Sequence, residues 1–541
     1  MATHLTYKNE QCDGMKHSAV PAVRIVRASE NVKNAEALLN RVCTQTYIHF
    51  DPEICVIPAG GEIILDFGCE LHGQLMLNTP GTDEIRVRIT LGESVSETLG
   101  TPTRDHAIHQ GEFDLPRMGT FTFGSSAFRF VRIQVPQDQK DLLLMGVAAI
   151  AVFRDWAYEG SFESSDERLN RIWQTGAYTV HLNCQEYIYD GVKRDRFVWM
   201  GDLYPEICTS LNVFRESFLI EKSLDFMREK TTDRRWMNGI FSYSCWWIVS
   251  LYELYLRRGN KMWLMTQKAY FEDLLKQLMA YVGEDGAVTF NNWLFLDWST
   301  ADNEIAKRAG IQGLMAWTMS AGASLANAMG LPELAKQAQI CGEKLRAASA
   351  PDCGGNKIAA AIQTMGDLKN IDHSALLKDH PALGISTFYG YFVLLAHRKY
   401  GNTAGALQLI RDYWGAMLDF GATTFWEDFD LTWTENAFGI DQLPVPGKKD
   451  IHGDFGKHCY IGLRHSLCHG WAGGPTAFLS DAVLGVKILK PGYREVSVQP
   501  DLCGLEYVRG SVPTPFGPIE VTAEKNGKTK INVPDGITLK E

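Results

Sequence analysis

The chain lacks most of the signatures that announce a chemistry. It contains no G-x-S-x-G elbow, no G-x-x-x-x-G-K-[ST] phosphate loop and no H-E-x-x-H helix motif, so serine-hydrolase, P-loop and zincin mechanisms find no support. No run of eighteen apolar residues occurs, and no membrane-spanning helix is expected. The opening Met-Ala-Thr-His-Leu-Thr-Tyr-Lys has no basic-then-apolar layout, which makes a cytoplasmic location the expectation for the chain as it stands. The 12 cysteines contain no C-x-x-C pair; they offer neither a zinc site nor a small-domain disulfide framework, and buried free thiols are expected. Positive charge is also short. With 53 Lys and Arg against 64 Asp and Glu, the net charge is -11, which argues against nucleic acid or an anionic membrane as partner.

What is present fits a large globular protein. The 541 residues exceed one ordinary domain, so two to four domains are expected. The 14 Trp and 19 Tyr are a surplus that suits a pocket stacking flat apolar faces as well as a large core.

Residues 1–155 read as β. Glu62–Gly68, Gln74–Asn78, Glu84–Leu91 and Phe128–Val135 alternate apolar and polar positions between Gly, Pro and Asp breaks, predicting an antiparallel sandwich. A short helix is expected at Glu30–Val42. Near residue 160 the period changes: Ser164 and Glu167 form a capping-box pattern before the stripe Leu169, Ile172, Trp173, Gly176, Ala177 and Val180. Helices are then expected at Ile207–Met227, Cys245–Arg258, Lys268–Val282, Ile311–Met329, Leu334–Ala348, Ser386–Lys399 and Ala404–Met417. The Ile311 and Leu334 segments, joined by Gly330-Leu331-Pro332, should be an antiparallel hairpin. No sequence repeat is visible, which favours a closed (α/α)6 barrel over a repeat array. After about Lys487 the pattern returns to β, with Asn526-Gly527 as a hairpin turn. The expected layout is an N-terminal β-sandwich (1–155), a helical barrel (156–483) and a C-terminal β-sandwich (484–541).

The chemistry-bearing residues gather between the helices. Asp190–Asp202 packs three carboxylates, three cations and two aromatics into thirteen residues, reading either as a lined pocket or as a surface loop with local ion pairs. Ser242–Trp247, Asn291–Trp298, Gly421–Asp430 and His465–Trp471 each combine aromatic with polar residues. Alternate linkers of a helical barrel meet at one mouth, where a facing carboxyl pair in an aromatic pocket is the minimal apparatus of glycoside hydrolysis. His465 and His469, spaced i, i+4, would share a face if helical, but no third metal ligand is evident nearby.

The set Asp190…Lys193-Arg194-Asp195-Arg196…Trp199-Met200-Gly201-Asp202, with Thr423–Glu427 and Ser466–Gly470, resembles the α-L-rhamnosidases of glycoside hydrolase family 78. Asp66-Phe67-Gly68…His72-Gly73 and Leu91-Gly92-Glu93 resemble that family's preceding β domain. The resemblance covers residues 60–541 and implies inverting chemistry without metal or cofactor. It places Asp195 at the general acid and Glu427 at the general base. It implies that Asp190, Arg194 and Asp202 hold the sugar hydroxyls, that Trp199, Trp247 and Trp298 form an aromatic wall, and that His469 contacts the sugar. Further candidates are Glu206 as a fallback acid, His72 near the mouth, and Trp426 beside Glu427. Arg194 is expected on substrate or Asp190, leaving Asp195 against Trp199 or buried. The insertion between Glu427 and His469, with Pro444–Lys449, is expected to wall the cleft. Many members carry Glu at the acid, on a loop one residue longer. The implied partner is a rhamnose-containing glycan or glycoside, with the chain a monomer or homodimer. Another exo-glycosidase on the same barrel, a non-catalytic carbohydrate-binding protein and a polysaccharide lyase remain as alternatives.

Overall fold

The computed structural model describes residues 14–46, 54–101, 109–458 and 460–540. The N-terminal part is built from strands β1 (Met15–Pro21), β2 (Arg24–Ala28), β3 (Cys55–Ile57), β4 (Glu62–Thr79), β5 (Ile85–Gly92), β6 (His109–Leu115), β7 (Gly119–Gln134), β8 (Leu142–Leu144) and β9 (Gly146–Arg154), with helix α1 (Val95–Leu99) after β5. Among the described residues, seven strands form one sheet in the order β1-β9-β4-β7-β5-β6, with β2 on β4, and β3 pairs with β8; every pairing is antiparallel.

Alternation explains β5 directly. Ile85, Val87, Ile89 and Leu91 are buried, while Arg86 and Arg88 face their register partners Asp114 and Glu112 as exposed cross-strand ion pairs. The segments expected as separate strands at 62–68 and 74–78 are one 18-residue strand, interrupted by register shifts between Asp66 and Leu71 and between Gly73 and Leu75. Gly73 is a point of close approach: a Cβ there would lie 1.9 Å from the Ile150 carbonyl oxygen. The helix expected at 30–42 is reduced to a 3-10 turn, Ala35–Leu38.

Strand β10 (Ser161–Ser164) precedes the helices. Ser164 therefore sits in a strand, and the cap of the next helix is Asp166, whose carboxylate accepts the Arg168 and Leu169 N–H groups. The helices are α2 (Glu167–Asn183), α3 (Leu203–Val213), α4 (Phe218–Lys230), α5 (Phe241–Arg258), α6 (Lys261–Thr266), α7 (Lys268–Met279), α8 (Glu304–Ala328), α9 (Pro332–Ala347), α10 (Lys357–Met365), α11 (Ser374–Lys378), α12 (Gly390–Lys399), α13 (Thr403–Asp419) and α14 (Gly474–Phe478). Helices α8 and α9 pack as the expected hairpin. The helix expected at 207–227 is broken between α3 and α4, because extended Phe214 packs against Trp156, Tyr158 and His181 at centroid distances of 5.0–5.3 Å.

Packing runs from α2 through α3, α5, α8, α10, α12 and α13 and back to α2, a closed cycle. Helix α10, not foreseen from the sequence, is one of its members. The linkers facing one end of this cycle carry four of the five aromatic and polar stretches; the fifth, Ser242–Trp247, was expected between helices and is instead the first turns of α5.

Strands β13 (Val486–Lys490), β14 (Glu495–Val498), β15 (Tyr507–Val512), β16 (Ile519–Glu524), β17 (Thr529–Asn532) and β18 (Thr538–Lys540) follow, after the short parallel pair β11 (Ala437–Phe438) and β12 (Lys449–Asp450). One sheet has the order β10-β15-β16-β17, so the C-terminal segment takes a strand from ahead of the helices. The other is β13-β14-β18, with β14 and β18 parallel. The Asn526-Gly527 turn joins β16 to β17 as expected, with Gly527 at φ +90°.

Candidate active site

A cavity of about 370 Å³ opens where the linkers converge, within the size range of small-ligand sites. Asp190, Asp202, His469 and Glu427 are its buried polar floor, and Trp199, Trp298, Trp293, Phe295, Tyr460 and Trp471 make its walls and rim.

The stretch after α2 is irregular and cross-braced. The Asp190 and Phe197 backbones are bonded through Asp190 N–H to Phe197 O (3.0 Å), and Asp190 Oδ1 accepts the Phe197 N–H (2.9 Å). Between them the chain turns through Asp195 and Arg196, both left-handed at φ +60° and +55°. Such a pair persists only where its surroundings hold it. Here the Arg196 Nε bonds the Val192 carbonyl, and Arg194 Nε bonds the Arg464 carbonyl at 2.7 Å.

Arg194 is the hinge of the site. Its Nη1 donates to Asp195 Oδ2 at 2.6 Å and its Nη2 to Glu427 Oε2 at 2.5 Å. Of the expected partners, substrate or Asp190, the second is corrected: the guanidinium spans Asp195 and Glu427, the two carboxylates that the resemblance implies as acid and base. Asp195 is likewise not buried against Trp199. Its side chain is 36% exposed, against 5% for Glu427. A guanidinium carries five N–H donors in a planar fork, so Nη1 and Nη2 can each bond a different carboxylate.

Glu427 is held from three directions. The Ser466 N–H donates to Oε2 at 3.0 Å, Arg194 donates beside it, and the Glu427 carbonyl accepts from Trp471 Nε1 and Thr387 Oγ1. Burial raises its pKa above the usual carboxylate value, while Arg194 and the Ser466 N–H oppose the rise. Asp190 and Asp202 are pushed well above it by burial and by neighbouring carboxyls, with the Tyr243 hydroxyl donating to Asp202 Oδ1 at 3.1 Å. His469 Nε2 lies 3.6 Å from Glu427, 3.9 Å from Asp190 and 4.0 Å from Asp202. Burial and the Arg194 charge nevertheless drive its pKa well below the ordinary value. The same burial that lowers His469 disfavours the charged forms of the two aspartyl groups beside it. Asp190, Asp202 and His469 thus offer hydrogen-bond donors and acceptors beside the Arg194–Glu427 pair, an arrangement suited to binding hydroxyl groups.

Several expected residues lie elsewhere. Trp247 is fully buried, donating to the Leu224 carbonyl and packing edge-on against Tyr270; it sits on the core side of α5, outside the cavity. Trp426 is also fully buried, against Phe429. Glu206 lies beneath the floor, so close to Gly470 that a Cβ there would meet its Oε1 at 1.8 Å. Its pKa is raised well above normal by burial and by Asp202 and Asp190. His72 is buried on β4 and its pKa falls to about 4 through burial and the Arg196 charge. His465 and His469 are not on a helix; His465 Nε2 accepts the Asp428 N–H at 2.8 Å, so the two rings do not converge on a common ion. The one group of potential metal ligands among the described residues, Glu93, Glu97 and His452, surrounds the Lys193 ammonium instead.

Other residues join the site without having been singled out. Tyr243, Trp293, Phe295 and Trp471 lay within the aromatic stretches. Asn238 and Tyr460 carried no pattern. Asn238 accepts the Met200 N–H and donates to the Val198 carbonyl, bracing the Asp190–Asp202 stretch. The insertion supplies Tyr460 to the wall, and its His458 stacks on Trp298 at 5.6 Å.

The fold and this site define a class. Residues 157–316 match the bacterial α-L-rhamnosidase six-hairpin glycosidase domain, and residues 485–540 match the bacterial α-L-rhamnosidase C-terminal domain. The chain resembles the α-L-rhamnosidases of glycoside hydrolase family 78. Among individual proteins, the α-L-rhamnosidase of Alteromonas sp. (strain LOR) is 20% identical over 517 residues, which cover 85% of this chain and 53% of that protein. The family 78 rhamnosidase of Bacillus sp. GL1 superposes with a TM-score of 0.75 at 20% identity, covering 93% of this chain and 55% of that one. The Klebsiella oxytoca rhamnosidase with rhamnose bound gives a TM-score of 0.69 at 20% identity, covering 86% and 96%. The chain therefore spans about half the length of the first two relatives.

Proposed function

We propose that this chain is an inverting α-L-rhamnosidase that removes terminal α-L-rhamnose from a glycoside. The observation that carries the reading is the Arg194 bridge, which sets Asp195 and Glu427 on opposite sides of one guanidinium at an aromatic cavity. Asp195, the more exposed, protonates the departing glycosidic oxygen. Glu427, buried and oriented by Ser466, takes the proton of a water attacking the anomeric carbon from the opposite face. Inversion needs two carboxyl groups set apart by roughly 6.5–9.5 Å with water between them, and a bridging guanidinium keeps them from closing on each other. Asp190, Asp202 and His469 bind the sugar hydroxyls, and Trp199 and Trp298 meet its apolar face.

The finer architecture belongs to the same reading. The closed helix cycle supports an (α/α)6 barrel, and the flanking sheets support β-sandwich domains, with divisions near residues 155 and 483. A panel of aryl glycosides tests the sugar. Hydrolysis of the α-L-rhamnoside, lost in Asp195→Asn and in Glu427→Gln, supports the proposal. Preference for another sugar redirects it to a different exo-glycosidase, and binding without turnover redirects it to a carbohydrate-binding protein.

A further inference from the structure

Strand β5 ends at Gly92, and the residue after it, Glu93, is fully buried beneath the catalytic cavity. Its Oε2 accepts the Leu467 N–H at 2.7 Å and its Oε1 the Ser466 hydroxyl at 3.2 Å. The Ser466 N–H in turn donates to Glu427 Oε2. Lys193 Nζ lies 3.3 Å from Glu93 and 3.0 Å from Glu97, and donates to the Leu463 and His465 carbonyls at 2.8 and 3.1 Å. Acceptors and donors from this one ion pair thus fix both halves of segment 463–467.

The other groups facing Glu93 are Glu70 and Glu97, whose pKa values burial raises, and His452, whose pKa burial lowers. His452 Nδ1 accepts the Ser94 hydroxyl and its Nε2 donates to the His465 carbonyl, tying the same segment a third time. Lys193 is the ammonium in this nest. A carboxylate is the group that can accept two donors at once, one per oxygen.

We propose that Glu93, contributed by the N-terminal sheet, is the positioning residue for Glu427. Balanced by Lys193, it holds the Ser466–Leu467 backbone so that the Ser466 N–H points at the Glu427 carboxylate. That hydrogen bond favours the ionised base, so losing it raises the pKa of Glu427. The N-terminal sheet is then part of the catalytic apparatus rather than an appended module. This rests on the reading of Glu427 as general base.

The test uses the full chain and the pH profile of kcat on an aryl α-L-rhamnoside. In Glu93→Gln one oxygen becomes an N–H donor facing a donor. We expect kcat to fall at least about tenfold, KM to stay within about threefold, and the acid limb to move to higher pH. Glu93→Asp, which keeps the charge, is expected to recover part of both effects. A folded Glu93→Gln with wild-type kcat and an unmoved limb overturns the proposal. Should that variant not fold, Glu93→Asp and Ser466→Ala carry the test: a raised limb in either supports it, and an unmoved limb in both overturns it. Glu427→Gln, assayed alongside, separates the two readings. If it stays active, the base assignment fails whatever Glu93 does; if it is inactive while Glu93→Gln is normal, only the positioning role fails.

Discussion

Arg194 and Glu427 form a buried ion pair, Nη2 to Oε2 at 2.5 Å, between side chains 8% and 5% exposed. Removing one partner of a buried pair strands the other. Arg194→Ala is therefore expected to destabilise the chain, by less than the roughly 3–5 kcal/mol of a stranded charge, because Glu427, already raised by burial, takes a proton instead. Activity on the α-L-rhamnoside should fall at least about hundredfold, since a protonated base cannot accept from water. Arg194→Lys should recover stability more than activity, having a charge but no fork. Melting curves and kcat/KM on the two variants check this.

The burial of Asp190 and Asp202 predicts a pH dependence of stability. The carboxyls of Asp190 and Asp202 have pKa values raised above their ordinary 3.8 in the folded chain. Such groups contribute stability that is fully present below the unfolded pKa and lost as pH rises through the folded one. Wild-type stability should thus decline as pH climbs above the usual carboxylate range. In Asp202→Asn, which stays neutral, the decline should be shallower, with the variant gaining relative to wild type at alkaline pH. Urea midpoints at a series of pH values measure it, and equal slopes for the two proteins would contradict it. The same variant should lose most of its turnover.

Trp199 and Trp247, two of the three tryptophans that the resemblance implies as an aromatic wall, should separate experimentally. Trp247→Ala empties a fully buried site and is expected to cost about 3–5 kcal/mol of stability, with kcat/KM of the folded protein nearly unchanged. Trp199→Ala removes part of the cavity wall and should raise KM about tenfold or more at little cost in stability. Denaturation and steady-state kinetics on both variants distinguish them.

The order of elements was legible because it depends on local period. Ile85–Leu91 alternates and is a strand; Ile311–Met329 and Leu334–Ala348 repeat at helical spacing and form a hairpin. The motifs around Asp195 and Glu427 were legible through their resemblance to a family. Side-chain direction was not. Trp199 and Trp247 sit in similar aromatic stretches, and only the rotation of α5 sends Trp247 into the core. Arg194 meets Glu427 rather than Asp190, and the left-handed pair Asp195-Arg196 follows it; nothing in the residue types marks either. Glu93 stands out in the sequence only through its motif, since Ser466 and Leu467, the groups it holds, lie more than 370 residues away in the chain.

The most direct measurement of the central claim is the anomer first released from an aryl α-L-rhamnoside, followed by proton NMR within the first minutes. β-L-rhamnose is expected first, with α appearing only by mutarotation, and no release by Asp195→Asn or Glu427→Gln. Initial release of the α anomer would contradict it, because retention requires a covalent intermediate rather than a water activated by Glu427.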